Sequence, residues 1–327
     1  MTNVDVHQHL WGPAFVAALR ARTEPPYLDG WTLHTAGEPP YEVSAADHDI
    51  ARRAELAAAD GLDRALVSLS APLGIEWLPA EEARPLLDAH HEDAAALPEP
   101  FGAWAAAHVR DIDADAVAGA LDLGLAGLQL PADSLADATG YARCAPLLDL
   151  LEARDLPLFV HPGPALSGAS GSGSSGAEVP GAELSGAELS GAELSGPGWW
   201  PAMVPYVQQM HASWFAFRAF GRPRYPRLRV CFALLAGLAP LHGERFAARG
   251  DGADGAVESD RNVFVETSSY GPRAVEAVVA ALGADAVVQG TDRPYAGPPA
   301  RPGFGLGGAA ERAFRVDNPW RLLTGKG

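Results

Sequence analysis

The sequence predicts an α/β protein, a single (β/α)8 barrel over residues 1–327. Three observations carry that expectation. Short β-branched or apolar runs alternate with Ala/Leu/Arg-rich stretches of helical period, as in parallel strands joined by crossover helices. Eight strand candidates can be counted, the number a closed barrel needs. Metal-type side chains fall at the C-terminal ends of three of them, the edge on which barrel enzymes build their sites. A doubly wound open sheet fits the alternation nearly as well, and the third observation favours the barrel.

The strands are expected at 3–8, 64–70, 101–107, 125–130, 157–161, 228–233, 262–266 and 285–290, and the helices at 45–60, 112–122, 141–154, 199–220, 240–248 and 272–282. The second helix opens on Asp111-Ile-Asp113, with acids in the first turn where they suit the helix dipole. One stretch breaks the alternation. Residues 167–198 are Gly/Ser-rich and contain Gly-Ala-Glu-Val-Pro followed by three copies of Gly-Ala-Glu-Leu-Ser (176–195). One Leu per repeat cannot build a core, so the segment reads as a low-complexity insertion after the fifth strand, a tolerated loop expansion rather than a lid.

A chain of 327 residues with 48% hydrophobic content can bury a sizeable core. Its net charge of −17 argues against nucleic acid or an anionic membrane surface as partner, since both need a positive patch. No apolar run approaches the ~20 residues that span a bilayer. Cys144 and Cys231 form no CxxC pair, which fits a reducing compartment. With no basic-then-apolar leader, the expectation is a cytoplasmic protein acting on a small molecule. Assembly into a homo-oligomer is compatible with the sequence and not required by it.

His7 and His9 end the first strand in Asp5-Val-His-Gln-His9. Residues two apart on a strand share a side, so both imidazoles can face the barrel interior, where a shared metal ion would use them. His161 ends the fifth strand before a Pro-Gly turn, and Asp292 follows the eighth in Gly290-Thr-Asp-Arg-Pro294. Three imidazoles and a carboxylate suit one divalent ion, zinc or a similar one, with a position left open. On the substrate side, Arg293 would pair with a carboxylate or bridge to a neighbouring acid. Trp11, with Trp199 and Trp200, would wall an aromatic substrate or pack loops.

These residues make the chain resemble the amidohydrolase superfamily, more narrowly the amidohydrolase-related group that includes aminocarboxymuconate semialdehyde decarboxylase. The matching segments are Asp5-Val-His7-Gln-His9, Phe159-Val-His161-Pro-Gly and Gly290-Thr-Asp292-Arg-Pro, with weaker matches at Val265-Glu-Thr-Ser-Ser269 and Asn318-Pro-Trp-Arg-Leu-Leu323. The resemblance implies a mononuclear site, usually zinc, held by His7, His9, His161 and Asp292. Gln129 stands where binuclear members carry a lysine, so one metal is expected. Leu234 stands where the group usually has a histidine after strand six, and His242 lies eight residues on. With that histidine gone, Asp292 is left as the general base toward metal-bound water, whose pKa an ion lowers to roughly 7. The leading expectation is therefore a metal-dependent hydrolase of a lactone, ester or amide. The alternatives are a metal-dependent non-oxidative decarboxylase of an aromatic or unsaturated acid, and a non-catalytic or metal-independent barrel.

Overall fold

Every residue of the first strand, β1 (Val4–Gln8), is buried, as befits a parallel strand covered on both faces rather than a half-exposed one. The structure, a computed structural model, describes residues 2–165, 197–249 and 260–326. After β1 come α1 (Pro13–Arg20), the short strands β2 (Tyr27–Asp29), β3 (Thr32–His34) and β4 (Tyr41–Glu42), and α2 (Ile50–Ala59). Then follow β5 (Arg64–Val67), α3 (Ala80–Ala96), β6 (Phe101–Ala103), β7 (Ala105–Ala106), α4 (Ala114–Asp122) and β8 (Leu128–Pro131). Next are α5 (Ala138–Arg143), α6 (Ala145–Arg154), β9 (Leu158–His161), α7 (Trp200–Met203), α8 (Pro205–Ala216) and β10 (Val230–Phe232). The chain ends with α9 (Gly243–Arg249), β11 (Val263–Glu266), α10 (Pro272–Leu282), β12 (Val287–Val288), α11 (Gly308–Arg312) and α12 (Asn318–Thr324).

The barrel is read from the pairings. One sheet runs β1-β5-β6 and another runs β12-β11-β10-β9-β8-β7, all parallel. β6 and β7 are two halves of one strand interrupted at Trp104, whose amide still bonds Val67 O at 2.9 Å. The other seam closes through Val6 N→Gln289 O (2.9 Å), His9 N→Arg293 O (2.7 Å) and a parallel bridge between Gln8 and Arg293. Eight strand positions thus form a ring, each inside or overlapping an expected one. A second core gathers Trp11, Phe15, Leu19, Leu28, Leu33 and Leu86. It joins α1 and α3 to β2-β3-β4, an antiparallel sheet.

The differences from expectation have local causes. The helix expected at 45–60 is a 3-10 turn, Ala45–His48, then α2, broken at Asp49, which caps α2 through Arg52 N. Asp113 is the N-cap of α4, accepting from Ala116 N, rather than a member of its first turn. The stretch 141–154 divides at Cys144, and 199–220 divides at Val204 before Pro205, with a π turn at Phe217–Gly221. Helices α1 and α3 and the small sheet were not expected. α3 carries Pro85 inside it, which reads as a helix breaker in isolation. Of the 167–198 insertion, residues up to 196 lie outside the described residues. Among the described residues no helix is long and apolar enough to cross a membrane.

Candidate metal centre

β1, β9 and the turn after β12 bring His7, His9, His161 and Asp292 together, with one potential ligand atom from each lying within 4.8 Å of the others. The three imidazoles are buried. His7 Nε2 and His9 Nε2 are 3.1 Å apart, and Asp292 Oδ1 lies 3.5 Å and 3.1 Å from them. Their rings meet edge to face, His7 to His161 at 4.8 Å and His9 to His161 at 5.2 Å between centroids.

What fixes these rings is at their other nitrogens. His7 Nδ1 faces Glu266 Oε1 at 3.2 Å, His9 Nδ1 faces Ser68 O at 3.0 Å, and His161 Nδ1 faces Pro162 O at 2.9 Å. Each of these partners only accepts, so each Nδ1 carries the proton and each Nε2 presents a lone pair inward. Two lone pairs facing each other at 3.1 Å beside a carboxylate are unfavourable without a cation between them. Three neutral imidazoles and one carboxylate are a donor set for a divalent ion. The residues therefore fit the group.

The electrostatics point the same way. Burial pulls the His7 pKa down, but Glu266 and Asp292 outweigh it and raise it overall. Burial holds His161 well below the usual imidazole range and lowers His9 as well. Asp292 ends below its ordinary value because the imidazoles, His7 foremost, overcome its burial. Two carboxylates, Glu266 and Asp292, thus press on a pocket of imidazoles, and that field favours a positive charge.

The surrounding residues set this geometry. Asp5, fully buried, accepts from His7 N (3.1 Å), Gln8 Nε2 (2.8 Å), Thr291 N (3.1 Å) and Thr291 Oγ1 (2.6 Å), tying β1 to the Asp292 turn. His7 O receives the Asp292 amide at 2.8 Å. Glu266 also accepts from Leu234 N (2.7 Å), Ser268 N (2.7 Å) and Ser268 Oγ (2.6 Å), bonds that fix its carboxylate in place against His7. At Leu234, the site uses the backbone rather than a side chain. Leu234, Leu235, Ala236, Gly237 and Leu238 all lie in the left-handed region, at φ 51°, 47°, 53°, 60° and 62°. That conformation costs roughly 1–2 kcal/mol per non-glycine residue, and it aims the Leu234 amide at Glu266.

The other expected residues disperse. Arg293 pairs with Asp60 at 2.8 Å, the bridging alternative rather than a free substrate contact. Trp11 is buried, stacked on His48 at 4.4 Å, with Nε1 donating to Ser70 Oγ at 3.2 Å. Ser70 Oγ is 3.3 Å from His9 Nδ1, so Trp11 is two contacts from the centre. Trp199 and Trp200 are exposed, and His242 packs edge-on against His211 at 5.0 Å. Gln129 is buried, its Nε2 donating to Leu69 O at 2.9 Å. Tyr295, which nothing in the sequence singled out, stands edge-on to His9 at 5.4 Å with 46% of its surface exposed. A groove of about 460 Å³ between α3 and α4 is lined by none of the four converging side chains.

Beside Gln129 lies a further buried acid. Glu76 is fully enclosed, its Oε1 3.5 Å from Gln129 Nε2 and its Oε2 without a partner among the described residues. Burial pushes its pKa up to about 8. The folded protein then keeps Glu76 protonated where the unfolded chain, titrating near 4.5, has lost that proton. Stability is fully present below the unfolded value and declines up to the folded one, by about 1.4 kcal/mol per pH unit. Glu76→Gln escapes this decline. Its melting temperature relative to wild type is expected to rise steadily between pH 5 and pH 8; a difference independent of pH would show that Glu76 is not carried neutral.

No sequence-family model matches the chain, and no curated protein matches it. Solved structures do share its fold at 14–19% identity. The apo form of IDCase from Metarhizium anisopliae superposes with a TM-score of 0.74 at 16% identity, covering 98% of this chain and 97% of its own. The 5-carboxyvanillate decarboxylase LigW from Sphingomonas paucimobilis gives 0.69 at 19% identity, covering 98% of each chain. A dihydroxybenzoic acid decarboxylase from Polaromonas, solved with bound manganese and the inhibitor 2-nitroresorcinol, gives 0.62 at 14%, covering 98% and 96%. These similarities corroborate the barrel. They also overturn the expectation of a lactone, ester or amide hydrolase, because the full-length neighbours include named decarboxylases. The physical reason is that a ligand set for one divalent ion serves both chemistries, so the set could not choose between them.

Proposed function

We propose that the chain is a member of the amidohydrolase superfamily and a metal-dependent, non-oxidative decarboxylase of an aromatic carboxylic acid. The observation that carries this is a four-residue metal centre at the C-terminal mouth of a barrel that matches decarboxylases over nearly its whole length. His7, His9, His161 and Asp292 would hold one divalent ion. Its donor set suits zinc, and manganese is the ion in the Polaromonas neighbour. When bound, the ion would supply the positive charge that draws in and orients the substrate's carboxylate.

The rest falls to the chain's own groups. Removing CO2 from an aromatic ring requires a proton on the carbon that bears the carboxylate. A C–H bond forms, the C–C bond breaks, CO2 leaves, and the donor regains a proton from solvent. Asp292 is the acid placed for this. Its Oδ1 is turned to the imidazoles, which keep the carboxylate ionised, so Oδ2 would first take a proton from solvent and then pass it to the ring carbon. Glu266 cannot do so, since its oxygens are taken up by His7, Leu234 and Ser268. Tyr295, whose ring lies across the mouth from His9, would pack against the substrate ring.

The test is CO2 release from a panel of hydroxylated and carboxylated benzoic acids, using protein loaded with Mn²⁺ or Zn²⁺. Release should disappear on chelation and return on adding back the ion. If metal-loaded protein releases no CO2 from any of them, the reading fails.

A further inference from the structure

Arg53 is among the largest fully enclosed side chains of the molecule, with 1% of its surface exposed. A buried guanidinium ordinarily needs a carboxylate, because removing a charge from water is expensive unless it is paired and hydrogen-bonded. Among the described residues none lies within ion-pair distance of it. Instead Nη1 donates to His9 O (2.7 Å) and Asp47 O (2.9 Å), and Nη2 donates to Gln8 Oε1 (2.6 Å) and Arg293 O (3.3 Å).

The placement of those oxygens is informative. Gln8 ends β1 and His9 follows it, and Arg293 follows Asp292 in the turn after β12, so the guanidinium spans the seam where the barrel closes. β12 has only two residues, and beyond it the seam's backbone links at the height of the ligands are Thr291 N→His7 O (3.2 Å), Asp292 N→His7 O (2.8 Å) and His9 N→Arg293 O (2.7 Å). The strand that carries His161, β9, is paired along both sides, to β8 and β10. His9 and Asp292 lie on opposite sides of this seam, 3.1 Å apart, and Arg53 holds a carbonyl on each side of it.

We infer that Arg53 is a positioning residue for metal binding, a clasp that holds His9 and Asp292 at ligand distance by gripping the carbonyls of His9 and Arg293 from outside the barrel. The inference rests on the metal-centre reading above. A rigid planar fork with several donors can grip two strands at once, which a lysine ammonium, a point donor on a flexible stem, cannot. Residues that orient ligands in this way typically change metal affinity 10–100-fold when lost.

The test measures the dissociation constant of Zn²⁺ by competition with a chromogenic chelator, alongside thermal unfolding of the chelator-treated apo proteins. Wild type, Arg53→Met and Arg53→Lys are compared. Arg53→Met is expected to bind Zn²⁺ about 10–100-fold more weakly, and Arg53→Lys about tenfold more weakly. If Arg53→Met does not fold, Arg53→Lys decides the matter alone. A lowered apo melting temperature with an unchanged dissociation constant, in whichever variants fold, would make Arg53 a purely structural residue and overturn the inference. Wild type that binds no Zn²⁺ and no Mn²⁺ would instead overturn the metal centre itself.

Discussion

For the decarboxylation proposed above, Asp292→Asn is expected to lower the rate of CO2 release by at least about 10³-fold, roughly 4 kcal/mol, while leaving a folded protein. Asp292 sits at φ 58°, a left-handed conformation that asparagine adopts readily. Its amide bond to His7 O at 2.8 Å involves only backbone and survives the change. The substitution therefore takes away the charge and the exchangeable proton without disturbing the turn. The three imidazoles remain, so an ion should still bind, more weakly. Metal content and CO2 release measured on one preparation separate these effects. Activity within tenfold of wild type would remove Asp292 from the role of proton carrier.

Gly290→Ala should produce the largest structural effect. A Cβ at that position would come 2.1 Å from Glu266 Oε2 and 2.9 Å from His7 Cβ. Glu266 cannot step aside, because donors from Leu234, Ser268 and His7 hold its carboxylate on every side. Nor can His7, whose strand is tied to the same turn through Asp5. Overpacking of this kind costs about 3 kcal/mol or more, a loss of about 5 °C for a chain of this length. Because the displaced Oε2 belongs to the carboxylate whose Oε1 orients His7, metal binding at the proposed centre should weaken roughly 10–100-fold as well. Gly119 in α4 supplies the control, since a Cβ there meets nothing within 4 Å. Gly119→Ala should stabilise the protein by about 0.5–1 kcal/mol. Equal melting temperatures for Gly290→Ala and wild type would show that the packing around Glu266 is looser than drawn.

The substitutions that matter most were not all visible in the same way. His7, His9, His161 and Asp292 could be found because each sits at the end of a strand, and strand ends are marked by local features: an apolar run stopping, a Pro-Gly or Asp-Arg-Pro turn beginning. The period of two aims His7 and His9 to one side whatever the rest of the chain does. Glu266 was also visible as a strand end, but not its task. Its partner His7 is 259 residues away, and no local pattern encodes that meeting. Arg53 reads as one more basic residue on a helix, and Gly290 as one more turn glycine. Leu234 appeared only as a missing histidine, whereas its amide proves to be part of the support for His7.

By itself, the sequence determined the alternation of strands and helices, the eight-strand count and the identity of four converging side chains. Those follow from periodicity and from turn chemistry, which act over a few residues. Only the tertiary structure decided where the ring closes, that each Nδ1 is held by an acceptor so that each Nε2 points inward, and that Arg293 is spent on Asp60. Apart from His161 Nδ1 on the adjacent Pro162 O, these depend on groups far apart in the sequence that the barrel brings together. The direction of the chemistry was not in the ligand set at all, since the same three imidazoles and carboxylate serve hydrolysis and decarboxylation alike.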